Sequence, residues 1–539
     1  MRRGDFTDSR DSLNRRRGLV LILVLIVVAA LSLAAYAFAS LMVVQSESAH
    51  LTGRRIQARM LASSGVESLR VFLLQDPAMQ SASGGLYDNP AMFQGVTVMG
   101  EADPDELGKF TVLVPAMDQA GGLAGIRYGL EDESARLNLN ALLLIDQQAR
   151  ELQEATGELA ELVAEDAEDL LADSPARSLL MALPGMTVEI ADAILDWLDD
   201  DDSPREFGAE AEYYSSLAPP YGPKNGPLET VEELLLVRGV TPQLLFGSDV
   251  NRNGMIDPDE MALAAQLGDF PPRGWSAYLT LYSKEQNVNG FGQPRIDLNM
   301  DDLQQLYEEL SLIFPEEWVK FIVAYRQSGP YQGEDEGDDD YSGDLDLSQR
   351  GSNTFTQVLD LIGARVEVTF QGAEEPVVLR SPFLDDLVSM NLYLSELVDN
   401  VTVVPDTVIP GRISLSQAPP EILLGIPGMT EEMVEQILSQ RTPDPGLDDP
   451  GQRHETWLLT SGIVTLDEMR ALMPFVCGGG DVYRTQVIGY FEDGRASARV
   501  EVVLDATQLP PRVLLWRDIS HLGRGYPLEM LGVSLMDEN

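Results

Sequence analysis

The chain has 539 residues, with 37 Lys and Arg against 87 Asp and Glu, so its formal charge is −50; 44% of it is hydrophobic and 23% charged. That length holds about three to five ordinary domains, and this apolar content excludes a disordered or fibrous chain. A surface so negative repels phosphate backbones, which sets nucleic acid aside as a partner and favours divalent cations and basic proteins. One cysteine, Cys477, and three histidines exclude internal disulfides, thiolate clusters and a His-based zinc site.

Residues 1–18 carry six Arg and three Asp, and an apolar run follows from Leu19 to Val44, broken only by Ser32, Tyr36 and Ser40. As a helix, this run is about 39 Å long, enough to cross a bilayer core of about 30 Å. The basic flank predicts a cytoplasmic N-terminus with the acidic bulk outside. The helix is expected to continue over Arg54 to Leu74, with Ile56, Met60, Leu61, Val66, Leu69 and Phe72 as its apolar positions. A basic leader ending in Gly18 just before the apolar run resembles a type IV prepilin or pseudopilin N-terminus, to be cut between Gly18 and Leu19. Most such proteins carry Glu at the fifth mature position. Here it is Leu23, a departure that the K-type minor pseudopilins share.

Beyond the helix, Gly95 to Met99, Phe110 to Pro115 and Gly125 to Leu130 read as short strands. Near the other end Tyr483 to Phe491, Ala496 to Leu504 and Val513 to Arg517 repeat the signal, with Glu492 to Arg495 as a hairpin turn. The spacing predicts a small sheet interrupted by a large, mostly helical insertion, with an extra β segment at Ala364 to Leu379. Ser134 to Asn140, Gln293 to Asn299 and Pro410 to Ser416 share an Arg-apolar-polar-Leu-polar core whose last residue is expected to cap the helix that follows. Leu183-Pro-Gly-Met-Thr187 and Ile426-Pro-Gly-Met-Thr430 are matching tight turns, each opening a helix, which predicts duplicated helix-turn-helix units. Their flanks are acidic, with Glu189, Asp192, Glu431, Glu432 and Glu435, which points to packing or partner docking rather than to DNA. The tract Glu334 to Asp340 reads as a solvated loop.

Asp249-Val-Asn-Arg-Asn-Gly-Met-Ile-Asp-Pro-Asp-Glu260 fits a twelve-residue EF-hand loop. Asp249, Asn251 and Asn253 stand at positions 1, 3 and 5, Gly254 makes the turn, Met255 offers its carbonyl, Asp257 stands at 9 and Glu260 closes at 12. Hard oxygen ligands in this number predict Ca²⁺. A second acidic cluster runs from Asp196, where Asp199, Asp200, Asp201, Asp202, Glu206, Glu210 and Glu212 are candidates to converge on a cation. No nucleophile elbow, His-Glu-x-x-His or phosphate loop occurs, so no catalytic residue is assigned.

Ala193-Ile-Leu-Asp-Trp-Leu-Asp-Asp-Asp-Asp-Ser-Pro-Arg, Gly208 to Tyr214, Leu217 to Tyr221, Lys224-Asn-Gly-Pro227 and Glu232 to Thr241, preceded by Asp132 to Asn140, resemble the signature block of the general secretion pathway K protein, a minor pseudopilin of type II secretion. Ser416 to Leu423 stands where that family has an Asn-x-x-Ala-Pro helix, with Ser and Gln replacing the usual Asn and Thr. The resemblance implies an α+β fold: a long N-terminal transmembrane helix, a small pilin-like antiparallel sheet and a large inserted helical domain with helix-hairpin-helix-like repeats. It divides the chain into a leader (1–18), an anchoring helix (19–75), the first pilin-like part (76–131), the insertion with acidic calcium loops (132–475) and a closing β segment (476–539). It further implies prepilin peptidase processing with methylation, single-pass insertion in the inner membrane with a periplasmic bulk, Ca²⁺ in the acidic loops, and assembly with other minor pseudopilins and the inner membrane platform at the pseudopilus tip. The alternatives left by the residues themselves are a membrane-anchored calcium-dependent surface binding module and, further off, a membrane-tethered DNA-binding protein.

Overall fold

The computed structural model describes residues 10–100, 107–117, 123–156, 174–267, 273–333, 335, 337–445 and 451–533. The side chains of 10–19, which flank the expected cleavage point between Gly18 and Leu19, lie outside the described residues, as do Glu334 and Glu336 of the acidic tract. One helix runs from Arg10 to Leu73. Its large apolar side chains from Val20 to Val44 are all exposed, and by length and composition it can cross a membrane.

Five strands form the path of one antiparallel sheet, in the order Val96–Met99, Gly108–Met117, Val482–Phe491, Ser497–Asp505 and Arg512–Asp518. Leu123–Arg127 adds to the far half of Gly108–Met117, and Glu131–Asp132 pairs with the start of Val482–Phe491. All the strands expected from alternation are present, and the two ends of the chain share the sheet. The helix lies across it through Ala62, Val66, Leu69 and Phe72, against Phe110, Val112, Val487 and Val502. The approach is closest at small residues. A Cβ on Gly489 would collide with the Ala58 carbonyl and come 2.9 Å from Leu61 Cβ, and one on Gly65 would sit 2.6 Å from Val487 Cγ1.

This closeness corrects the expected stripe. Ile56 and Met60 are 54% and 59% exposed, and their places in the contact are taken by Ala58 and Ala62. A large side chain cannot enter where backbone meets backbone.

The insertion has its own core, from Leu137 to Val476. It is less helical than expected, since short strand pairs fasten it. The three Arg-apolar-polar-Leu-polar cores all form two-residue parallel strands: Leu137–Asn138 with Leu279–Thr280, Ile296–Asp297 with Val401–Thr402, and Ile413–Ser414 with Val476–Cys477. The extra β segment is a hairpin of Arg365–Val368 and Val377–Arg380. Helices Pro175–Met181 and Val188–Leu198 flank the first Pro-Gly turn, and Pro420–Leu424 and Glu431–Gln440 the second. A Cβ on Gly425 would lie 2.6 Å from Ala182 Cβ, so the two units touch.

The expected helix caps are corrected too. Asn140 brackets a distant main chain, accepting from Leu228 N at 2.7 Å and donating to Leu228 O at 3.0 Å. Asn299 does the same to Phe355, at 2.9 and 3.1 Å. Ser416 Oγ donates to the Gly478 carbonyl at 2.7 Å. These residues tie each unit to its own later part, because a short amide at a strand end can satisfy a main-chain N–H and C=O together.

Substituting Gly489→Val should force the helix off the sheet and lower stability by roughly 1–3 kcal/mol, as overpacking does. Gly100, whose added Cβ meets nothing within 4 Å, provides the control as Gly100→Ala. Chemical denaturation of the full chain in detergent, with equal midpoints for both variants, would refute the close contact.

Candidate cation loops and the domain junction

Helix Val188–Leu198 carries Asp192 and Asp196 into the insertion core, where both are fully buried. Arg177 Nε donates to Asp192 at 2.7 Å and Phe207 N to its other oxygen at 3.2 Å. Asp196 accepts from Arg205 Nη1 at 2.7 Å and from Arg205 N at 3.2 Å, and the same guanidinium also donates to Asp199. A Cβ on Gly208 would collide with Asp196 Oδ2, so glycine is required for the loop to wrap this carboxylate.

Glu210 is the group left over. It is buried, and neither carboxylate oxygen has a hydrogen-bond partner. Burial, with Asp196, Asp199 and Asp202 nearby, pushes its pKa up to about 7. Burial also raises Asp199, against the pull of Arg205. A buried carboxylate without donors is costly unless a proton or a cation meets it. Asp200, Asp201, Asp202, Glu206 and Glu212 are exposed instead. Asp201 accepts from Ser203 N at 2.7 Å and Asp202 from Asn225 Nδ2 at 3.2 Å. The cluster thus splits into an inner set of Asp196, Asp199 and Glu210 and an outer, solvated one.

The EF-type loop lies between the five-residue helix Pro242–Phe246 and helix Pro258–Leu267. Its candidate ligands do face one another. Asp249 accepts from Asn253 N at 3.1 Å and Gly254 N at 2.9 Å, and Glu260 from Asn251 N at 3.2 Å and Asp257 N at 3.1 Å. The side-chain amides of Asn251 and Asn253 donate to Asp257 Oδ2 at 2.7 and 3.2 Å, and Asn253 Oδ1 accepts from Met255 N at 2.7 Å. Gly254 has φ +72°, which a side chain would strain. Burial raises Asp249, with Glu260 adding to the shift and the Gly254 and Asn253 amides opposing it. Among the described residues no three His, Cys, Asp or Glu side chains gather as a cation cage, so an ion in either loop would also draw on amide, main-chain and water oxygens.

This loop is fixed to the sheet, which the motif did not reveal. Gln486 Nε2 donates to the Arg252 carbonyl at 2.8 Å, Asn253 Nδ2 to the Gly525 carbonyl at 2.8 Å, and Tyr526 OH to the Asn253 carbonyl at 2.9 Å. Nearby ion pairs join sheet and insertion: Arg484 with Glu133 at 2.5 Å, Arg136 with Glu131 at 2.6 Å, and Arg517 with Glu232 at 2.6 Å, while Arg484 is also held within the sheet by Glu501 at 3.0 Å. Of these partners, Glu133, Arg136, Arg205, Glu232, Arg252 and Asn253 stand inside motifs already singled out and Arg484, Gln486, Glu501 and Arg517 inside expected strands, whereas Arg177, Glu131, Gly525 and Tyr526 lie outside both.

A membrane-length helix, bare for half its length and packed on an antiparallel sheet for the rest, with a large insertion on that sheet, makes an α+β protein whose N-terminal helix fits a single-pass membrane anchor. Residues 135–246 match the family described as type II secretion system (T2SS), protein K. A curated relative from Escherichia coli (strain K12), named as a type II secretion system protein K, is 42% identical over 60 residues, which are 11% of this chain and 18% of that protein. A solved GspK–GspI–GspJ complex of the type 2 secretion system from enterotoxigenic Escherichia coli aligns with 88% of this chain and 98% of its own, at 12% identity and a TM-score of 0.34. The likeness to the K family read from the motifs thus has an independent match over the signature block itself.

Where the chain enters and leaves the insertion, burial raises Asp481 to about 7, with Asp132, Glu285 and Asp505 adding to the shift, and raises Asp132 to about 6. Both carboxyls are protonated more readily folded than unfolded. Their contribution to stability is therefore full below about pH 4 and is lost as pH rises through about 6 to 7. Asp481→Asn should flatten this part of the stability–pH curve and gain on the order of 1–3 kcal/mol at pH 8. Denaturation midpoints at pH 5 and pH 8 test it, and an unchanged pH slope in the variant would reject it.

Proposed function

We propose that this protein is a K-like minor pseudopilin of a type II secretion system, held in the inner membrane by its N-terminal helix, with its bulk in the periplasm. After leader removal it joins other minor pseudopilins at the pseudopilus tip and supports export of folded proteins. The match of residues 135–246 to the K family carries this reading. The sheet built from both ends of the chain, with the long helix laid on it, supports a pilin-like core.

The role is docking, not catalysis. Leu23 is an exposed apolar side chain on the bare part of the helix, where most pseudopilins carry Glu. Without a carboxylate there, nothing in the lipid can pair with the free amine of a neighbouring subunit stacked above, and the insertion adds a steric stop. The chain therefore caps a fibre and does not repeat along it.

Calcium belongs to the same proposal. Glu210, buried with both oxygens unpartnered beside Asp196 and Asp199, supports an ion in the first loop; the inward ligands Asp249, Asn251, Asn253, Asp257 and Glu260 support one in the second. Hard oxygen donors suit Ca²⁺.

Co-expression with a prepilin peptidase should remove residues 1–18 and expose Leu19, read by intact mass and N-terminal sequencing. If Met1 is retained, the protein is a signal-anchored module and the pseudopilin reading falls. Calcium at ten times its Kd should stabilise the full chain by about 1.4 kcal/mol for each occupied loop relative to chelator. Glu210→Gln and Glu260→Gln should each remove part of this gain. An unfolding curve that calcium does not move would leave both loops without an ion.

A further inference from the structure

A cavity of about 390 Å³ lies where the second and third Arg-apolar-polar-Leu-polar units meet, away from both cation loops. Val358, Val398, Val401, Val403, Ile409 and Met473 make its walls apolar. Its size is within the range of pockets that enclose small organic ligands. Two of the three repeated arginines, Arg295 and Arg412, line it as well, with the buried Glu455, whose carboxylate is taken up by Arg412 at 2.9 Å.

The three arginines open equivalent two-residue strands, so their partners can be compared. Arg136 pairs with Glu131 at 2.6 Å. Arg412 pairs with Glu285 at 2.5 Å and Glu455 at 2.9 Å. Among the described residues Arg295 forms no ion pair with a carboxylate. Its Nε donates to the Asp399 carbonyl at 3.3 Å and its Nη2 lies 3.4 Å from His454 Nδ1. The Asp399 carboxylate is turned away, toward His454 Nε2 at 3.1 Å and Gly290 N at 3.0 Å.

Gln357 lines the same cavity at 5% exposure, and neither its side-chain nitrogen, which a carboxylate could satisfy, nor its oxygen has a hydrogen-bond partner. A buried N–H left unmade is unfavourable, and a guanidinium binds carboxylates in preference to neutral acceptors. Gln148 and Thr356, both exposed, also line the cavity and open it to solvent.

We propose that this cavity binds a carboxylate on an apolar stem, its oxygens held by Arg295 and Gln357 Nε2 and its stem lying on Val398, Ile409 and Met473. The acid stands where the other two arginines have a glutamate from the chain. The inference does not depend on the secretion role.

The probe is 4-phenylbutyrate, titrated by calorimetry into the full chain in nanodiscs, with empty nanodiscs as blank. Saturable binding is expected, with 4-phenylbutanol at least tenfold weaker. Arg295→Met and Gln357→Leu should each weaken the acid at least tenfold, and Arg495→Met, in the distant hairpin turn, should leave it unchanged. Gln357→Glu, a second variant should Arg295→Met not fold, supplies a carboxylate from the chain and should weaken the acid at least tenfold while leaving the alcohol unchanged. Short peptides ending in Phe separate the sources of the carboxylate: competition by the free-acid peptide alone supports a site that also takes a polypeptide C-terminus, and failure of both peptides to compete supports a site for small free acids. Competition by the C-terminally amidated peptide, equal binding of the alcohol, unaltered binding in Arg295→Met, or no saturable binding would each overturn the proposal.

Discussion

The hydrogen-bonded ladder between Gly108–Met117 and Val482–Phe491 joins the first part of the chain to its last and makes one sheet of both. Everything between must leave and return at one place, because Glu131–Asp132 pairs with the start of that same central strand. The crossing brings Glu131, Glu133, Arg136, Arg484 and Glu501 together in a largely buried network. Such pairs add little net stability compared with apolar packing, but removing one partner strands the other charge. Their effect is orientational: the insertion can meet the sheet in the one pose that pairs every charge. The long helix depends on the same ladder, since Gly489, where it comes closest, stands in the central strand.

This geometry gives the two candidate cation loops different consequences. The loop at 249–260 touches Gln486 of the central strand and Gly525 and Tyr526 of the C-terminal segment. An ion there would stiffen the junction between sheet and insertion. The loop at 196–212 instead wraps the end of a helix inside the insertion, with Trp197 and Tyr214 edge to face at 5.1 Å as its wall. An ion beside Glu210 would settle a local charge excess and leave the junction as it is. The electrostatic need is also unequal, since the Asp249 oxygens accept from two main-chain amides while those of Glu210 accept from none.

Much of the fold was legible because its signals are local. β-branched alternation located the strands at both ends of the chain, and the fixed spacing of the twelve-residue loop marked out candidate ligands that face one another. The failures are where a residue's role is decided by a distant segment. Asn140 and Asn299 have the side chain of a helix cap, yet the main chain they satisfy belongs to Leu228 and Phe355. Ile56 and Met60 fit an apolar stripe, but backbone contact with the sheet requires Ala58 and Ala62 there. Within the acidic run, composition gave every carboxylate the same standing. Burial separates Glu210 from Glu206 and Glu212, and Arg205 takes up the charge of Asp196 and Asp199.

The repeated arginines show how the insertion holds together with so little sheet. A two-residue parallel ladder contributes few hydrogen bonds, so the order of the units rests on their shared apolar core and on what the arginine at each strand meets. For Arg412 the partners come from two sides, Glu285 from the strand Lys284–Gln286 ahead of the second unit and Glu455 from within its own. That arginine is a tie between units, and truncating it would leave two acids unpaired in a protein that already carries a charge of −50. Arg295 makes no such tie. Its guanidinium is held by a carbonyl and an imidazole, which fix its direction, while Glu455 acts on it only from beyond ion-pair distance. The unit boundary at Arg295 is consequently the one of the three whose arginine, among the described residues, forms no ion pair, and it stands beside an apolar opening that Glu455 also lines.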